Sequence, residues 1–140
     1  MKVGILGSGE AAKTLAGGFL QHGHDVMLGT RAPAQLAEWA TAHPKARLAS
    51  VTEAAGFGEV VVLAVKGTAA AAALRAAGAA MLAGKPLIDV TNPIADAPPV
   101  NGVLRFFTTI EESLLERLQR EFADVRFVKA FNSVGHGAVW

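Results

Sequence analysis

The sequence predicts a single-domain α/β fold with a doubly wound parallel sheet, and three observations carry that prediction. Short runs rich in valine, isoleucine and leucine alternate with helical periodicities along the whole chain. The run Glu59-Val60-Val61-Val62-Leu63-Ala64-Val65 is almost wholly apolar, as suits a central parallel strand covered on both faces. Gly7-Ser8-Gly9-Glu10-Ala11-Ala12 follows the apolar stretch Lys2-Val3-Gly4-Ile5-Leu6 and runs into a helical pattern, which gives the order strand, glycine turn, helix.

Taken in order, the pattern predicts strands over 2–7, 24–29, 46–50, 59–65, 85–91 and 125–130. It predicts helices over 10–22, 33–43, 68–83 and 110–122, with a short helical turn near 52–57. His22-Gly23-His24 closes the first helix, with Gly23 in the left-handed conformation of a C-terminal cap. Pro33 fits the first turn of the second helix, where its missing N–H costs nothing, and His43-Pro44 ends it. The alanine-rich stretch Thr68 to Ala83 carries Arg75 and is too short to span a bilayer, so it reads as a buried or interfacial helix. Asp96 to Gly102 is a loop by composition, and Gly102 to Thr109 reads as an extra edge strand or an irregular return. Strands and helices in alternation imply the sheet order 3-2-1-4-5-6, the Rossmann arrangement.

The chain has 140 residues, enough for one domain with a substantial core. A net charge of +1 gives no reason to expect a nucleic acid or membrane surface as partner. The absence of cysteine removes disulfides, thiol nucleophiles and thiolate metal sites. The chain opens directly on a strand, with no signal peptide in view, so a cytoplasmic protein is the expectation.

The glycine turn suggests a bound dinucleotide. A helix N-terminus offers unpaired N–H groups and a positive dipole end to a pyrophosphate. Gly7 allows the tight turn, Gly9 lets the backbone approach the phosphates, and Ala12 takes the third place, where a small residue lets helix and strand pack closely. An NAD-preferring site would place an acid near the end of the second strand. Here Gly29-Thr30-Arg31 holds no carboxylate, and Thr30 and Arg31 supply donors to a 2′-phosphate. The expected cofactor is therefore NADP(H). Ligands of such sheets lie at the carboxyl ends of the strands, where the order reverses. That places Gly7 to Ala12, Ala64-Val65-Lys66 and the residues as far as Thr68, and Thr91-Asn92-Pro93 around one cleft. The Asn92 amide is a candidate partner for the carboxamide or ribose of the nicotinamide half, against the plainer reading of a turn. Lys66 reads equally as a phosphate or ribose ligand and as a solvated lysine. Glu10 reads mainly as a residue complementing the helix dipole.

Four stretches resemble the amino-terminal domain of the NADPH-dependent deazaflavin (coenzyme F420) reductase family, which is related to pyrroline-5-carboxylate reductases and to the dinucleotide domains of ferric reductases. They are Met1 to Gly9, Leu28-Gly29-Thr30-Arg31, Asp89-Val90-Thr91-Asn92-Pro93 and Lys129-Ala130-Phe131-Asn132-Ser133-Val134-Gly135. The resemblance implies that Thr30 and Arg31 hold the 2′-phosphate. It also implies that Asn92, Pro93, Phe131 and Asn132 line the nicotinamide end, where hydride passes to a second, flat cofactor or substrate.

Members of that family continue past the phenylalanine–asparagine motif into further helices that help shape the acceptor site and often a dimer interface. This chain stops at Trp140. The expectation is a dinucleotide-binding domain over 1–140 without the family's C-terminal region. It would bind NADPH but reduce acceptors slowly or not at all, because the eight residues after Asn132 look too few to wall the acceptor cleft. Phe127, Phe131, Val139 and Trp140 crowd this end and suggest a homodimer. Of the histidines, only His136 lies near the nicotinamide motif, where it could give a proton to a reduced substrate; a metal pair at His22 and His24 is the poorer reading.

The reading of the whole is an oxidoreductase domain moving hydride between NADPH and a small-molecule acceptor: a deazaflavin such as coenzyme F420, a flavin, or a small imine or carbonyl. The cofactor supplies the reactivity and the fold the orientation, so no catalytic triad is needed. The alternative is a non-catalytic NADP(H)-binding or sensing module, and fold alone does not separate the two.

Overall fold

The computed structural model describes residues 1–140 and holds one six-stranded parallel sheet in the order β3-β2-β1-β4-β5-β6. The strands are β1 (Lys2–Leu6), β2 (Asp25–Gly29), β3 (Arg47–Ala49), β4 (Val60–Leu63), β5 (Pro86–Asp89) and β6 (Arg126–Lys129). The helices are α1 (Glu10–Gln21), α2 (Ala37–Ala42), α3 (Val51–Phe57), α4 (Ala70–Ala77), α5 (Ala79–Leu82) and α6 (Leu114–Glu121). The predicted order and alternation are those observed. No helix is long and apolar enough to cross a membrane.

Alternation along each strand divides the core in two. Leu6, Val61, Leu63 and Leu87 face a layer built by α3, α4, α5 and α6, whose Ala54, Leu74, Leu82 and Leu118 bury against them. Val3, Ile5, Val26, Leu28 and Val62 face the other layer, with Leu15 and Ala16 of α1 and with Leu36. Because β1 and β4 are covered on both sides, neither alternates with polar residues, which is why the Val60–Leu63 run is continuous.

Several elements differ from the sequence expectation for local reasons. The helix expected over 68–83 breaks at Gly78, whose φ of 90° ends α4 and starts α5; the uniform alanines around it gave no warning. The helix expected over 33–43 begins as a 3-10 turn at Pro33–Leu36 before α2. The short turn near 52–57 is a full helix, because Ser50 and Glu53 form a reciprocal capping box ahead of it. Ser113 and Glu116 form a second box, which starts α6 at Leu114 rather than at 110.

Gly102 to Thr109 is not a further strand of the sheet. Residues 93–107 instead form a small antiparallel arm. Ile94 bridges Phe106, Val100 bridges Val103, and Phe107 N–H donates to the Pro93 carbonyl at 2.9 Å. Asn101 and Gly102 turn its tip with φ of 52° and 77°, the two positive values that a tight hairpin turn needs.

The last ten residues are not a loose tail. They leave β6, turn at Phe131 and cross the outer side of α1. Trp140 lies against Gly18, where a Cβ would fall 1.8 Å from the indole ring, and its Nε1–H donates to the Thr14 carbonyl at 3.0 Å. Phe19 meets the same ring edge-on at 5.6 Å, and Val139 packs on the core beneath α1. Phe127 packs on the opposite core. Of the four residues expected to form an exposed apolar end, Phe127 and Val139 are half-buried, Trp140 is docked at Gly18 yet half exposed, and Phe131 is exposed.

Candidate functional site

The strand ends that diverge at the reversal of sheet order enclose a cleft of about 1130 Å³. Its floor is the glycine turn. Gly7 has φ of +140°, and a Cβ there would lie 2.2 Å from the Ala64 carbonyl oxygen, so only glycine lets β1 and β4 end side by side. Gly9 is different. It occupies the N-cap of α1 with ordinary extended geometry, no side chain caps the helix, and a Cβ built there meets nothing within 4 Å. The protein itself does not need a glycine at that position. The uncapped end of α1 opens onto the cleft, and its leading N–H groups lack a partner of the usual kind.

At one end of the cleft the chain leaves β2 through Thr30. Its N–H donates to the Ala49 carbonyl at 3.1 Å, and its Oγ1 accepts from Ala32 N–H at 3.0 Å. This turn puts Arg31 at the cleft rim, exposed and in none of the chain's six ion pairs. Ser8 Oγ donates to Gln35 Oε1 at 3.1 Å, so its one hydroxyl proton is already committed. Sequence reasoning missed Gln35, because the 3-10 turn that brings it to the glycine loop leaves no signature there.

Ala64, Val65 and Lys66 line the cleft as expected, and Lys66 reaches across its mouth to Asp96 on the arm at 3.6 Å. Glu10 and Ala11 line it too. The Glu10 carboxylate sits below the usual carboxylate range, chiefly through its hydrogen bond to Lys13 and then that lysine's charge, with a smaller contribution from His136. Val51 with Ala69, Ala72, Ala73 and Ala76 forms a flat-sided apolar slot that the alanine-rich sequence did not reveal as part of the cleft.

The far end is set by an ion pair between a buried carboxylate and a partly exposed lysine. Asp89, at the end of β5 and fully buried, accepts from Lys129 Nζ at 2.9 Å and from Thr91 N–H at 2.9 Å. Lys129 Nζ also donates to the Thr91 carbonyl. These contacts fix Thr91 at the cleft wall, where its Oγ1 is the one buried side-chain polar atom without a partner. Asn92 is held reciprocally: its Nδ2 donates to the Asn132 carbonyl at 2.8 Å, and Asn132 Nδ2 donates back to Asn92 Oδ1 at 3.3 Å. The Asn92 amide keeps only one free N–H and one free lone pair for a ligand.

Four of the sequence-predicted residues lie outside the main cleft. Ala12 is fully buried beneath α1, the close-packing place assigned to it. Pro93 anchors the arm through its carbonyl. Phe131 and Asn132 line a smaller adjoining cavity of about 200 Å³, which shares Ala11, Val90 and Asn92 with the main cleft. Phe131 has φ of +62°, a conformation a bulky side chain rarely adopts. Val134, His136 and Val139 line the same cavity. The residues after Asn132 thus form one side of this small cavity.

Replacing Lys129 tests the ion pair. Lys129→Met strands the Asp89 carboxylate and is expected to cost about 3–5 kcal/mol in urea unfolding. A loss below about 1 kcal/mol would put the pair in the class of exposed ion pairs.

Comparison with known proteins bears on these features. Residues 2–93 match the family model described as NADP oxidoreductase, coenzyme F420-dependent. A solved structure of a candidate F420-dependent NADP reductase from Arthrobacter sp. FB24 is 36% identical, with a TM-score of 0.91 over 98% of this chain. This chain spans 65% of that protein's length. An imine reductase of Streptomyces aurantiacus (20% identity, TM-score 0.69, 92% of this chain and 40% of that one) shares the fold. So does a reductive aminase of Aspergillus terreus, solved with NADPH and ethyl levulinate (20% identity, TM-score 0.66, 91% of this chain and 39% of that one). Among curated proteins no sequence match is found. With the glycine turn, the cleft and the family match over residues 2–93 in agreement, the chain belongs to the coenzyme F420-dependent NADP oxidoreductase family.

Proposed function

We propose that this chain binds NADP(H) in the main cleft and exchanges hydride between it and a flat, conjugated acceptor, of which a deazaflavin such as coenzyme F420 is the favoured class. Residues 1–140 act as the dinucleotide-binding domain. The observation that carries this reading is the open N-terminus of α1. A helix end without a side-chain cap, over a glycine whose missing Cβ serves nothing in the protein, is a cradle shaped for a phosphate. The unpaired Arg31 and the orphaned Thr91 hydroxyl stand at opposite ends of the same cleft, as an elongated ligand with a phosphate at one end and a polar ring at the other requires.

In this reading the backbone N–H groups from Ser8 to Ala11 form the pyrophosphate cradle, with the Ser8 hydroxyl held aside by Gln35, Gly7 making the turn with its own N–H bound to the Gly29 carbonyl, and Ala12 giving the close packing of α1. Thr30 and Arg31 receive the 2′-phosphate. Ala64, Val65 and Lys66 flank the sugars, and Thr91, Asn92 and Pro93 with Phe131 and Asn132 orient the nicotinamide end. Bound NADPH supplies the hydride itself. The protein's own part is to fix donor and acceptor about 3–3.5 Å apart and to keep water away. Thr91 and Asn92 suit that task because each is already held by buried contacts before any ligand arrives.

Two substitutions test the cofactor assignment. Arg31→Ala removes one charge-assisted contact worth about 1.5–3 kcal/mol. NADP(H) affinity should fall roughly 10- to 150-fold while NAD(H) affinity changes little, read by calorimetry; equal losses for both would refute the role. Gly9→Val should keep the native circular dichroism, since the space above Gly9 is empty, yet abolish dinucleotide binding. Binding retained in that variant would mean that the pyrophosphate lies elsewhere.

We also propose that the protein is a homodimer. Val100, Val103, Leu104 and Phe106 of the arm and Ile110 beyond it are exposed, and apolar surface gathered in this way is characteristic of interfaces. Sedimentation is expected to show a dimer that Phe106→Glu dissociates. A monomer at high concentration would exclude it.

A further inference from the structure

We propose that His136 is the proton-transfer group for the hydride acceptor, an assignment that rests on the hydride-exchange reading above. The smaller cavity adjoins the main cleft at Asn92, where that reading places the nicotinamide, so a ligand receiving hydride would enter it. Of the ten side chains around this cavity, His136 alone is titratable; the rest are Ala, Thr, Leu, Val, Phe and Asn. Of the other ionisable groups of the site, Arg31 stands at the opposite rim and does not give up its proton, and the rest are paired. Asp89 and Lys129 are bound to each other behind Thr91, Lys66 is paired with Asp96 at the mouth, and Glu10 is paired with Lys13.

His136 itself is free to act. The ring nitrogens of His24 and His43 contact Met1 N and the Trp39 carbonyl, and His22 lies against Trp140, but His136 has no hydrogen-bond partner in the chain. It is exposed, so it can recover a proton from water. It is also held in place. It opens a 3-10 turn (His136–Ala138) that packs on α1, and Trp140 fastens the end of that segment at Gly18. The charged group that acts on it is Glu10 on the first turn of α1, whose carboxylate is paired with Lys13 at 2.9 Å.

The step balances without a further reactant. The acceptor carbon gains hydride, that is, two electrons and one hydrogen, and the nicotinamide is oxidised. The electron pair displaced onto the acceptor's conjugated nitrogen or oxygen takes the proton of the protonated imidazole. His136 is then reprotonated by solvent. In the opposite direction the neutral imidazole takes that proton back.

The experiment compares the full protein with His136→Gln and His136→Asn, using NADPH with an oxidised deazaflavin and, separately, with a cyclic imine. Both variants should bind NADPH with unchanged affinity. kcat for NADPH oxidation should fall about 100-fold or more. The wild-type rate should decline as pH rises and, with reduced deazaflavin and NADP, increase as pH rises; both dependences should vanish in the variants. As a readout independent of turnover, the His136 ring resonance, assigned by its loss in His136→Gln, should shift when oxidised deazaflavin is added to the NADP-loaded protein, while the resonances of His24 and His43 stay in place. NADPH oxidation by wild type with unchanged kcat and pH profile in the variants would overturn the role of His136 and leave the hydride-exchange reading standing. Wild type that binds NADPH but oxidises it with neither acceptor would overturn that reading and this proposal together.

Discussion

The cleft depends on one steric concession. At Gly7 the backbone takes a conformation closed to side chains and comes so near the Ala64 carbonyl that no Cβ fits between them. That approach lets the exits of β1 and β4 lie together, although their connections leave toward opposite faces of the sheet. The gap between those diverging connections is the cleft. Gly7 and Gly9 therefore serve different masters. The first is required by the protein's own packing, whereas the fold itself makes no such demand at the second.

Charge is arranged along the cleft by the degree to which it is already neutralised. Arg31 stands unpaired at the rim, so its full charge is offered to a ligand. At the other end the buried Asp89 carboxylate is neutralised by the partly exposed Lys129 ammonium behind Thr91. Between them the uncapped helix end contributes a diffuse positive potential.

What the sequence revealed was local in kind. The glycine turn, the missing acid after β2 and the two motifs ending at Pro93 and at Gly135 are contiguous stretches whose chemistry does not depend on distant partners. The strand order followed from alternation alone. The Asp89–Lys129 pair was not legible, although both residues stood in motifs already singled out. Their meeting depends on the β5–β6 register across 40 positions of chain. Gln35 was hidden by a 3-10 turn, the break at Gly78 by uniform alanines, and the arm by a loop-like composition. The reach of the last ten residues was underestimated, because nothing in Gly137-Ala138-Val139-Trp140 tells that a notch at Gly18 waits for the indole.

That notch has a kinetic meaning. The hydrogen bond from Trp140 to Thr14 closes a loop of 126 positions, nearly the whole chain. Such a contact pays the entropy of loop closure in full unless intervening structure has already brought its ends together. α1, the sheet and β6 must therefore be in place before the indole can dock. Within these residues the glycine turn can form before that docking, and the wall carrying His136 sets only after it.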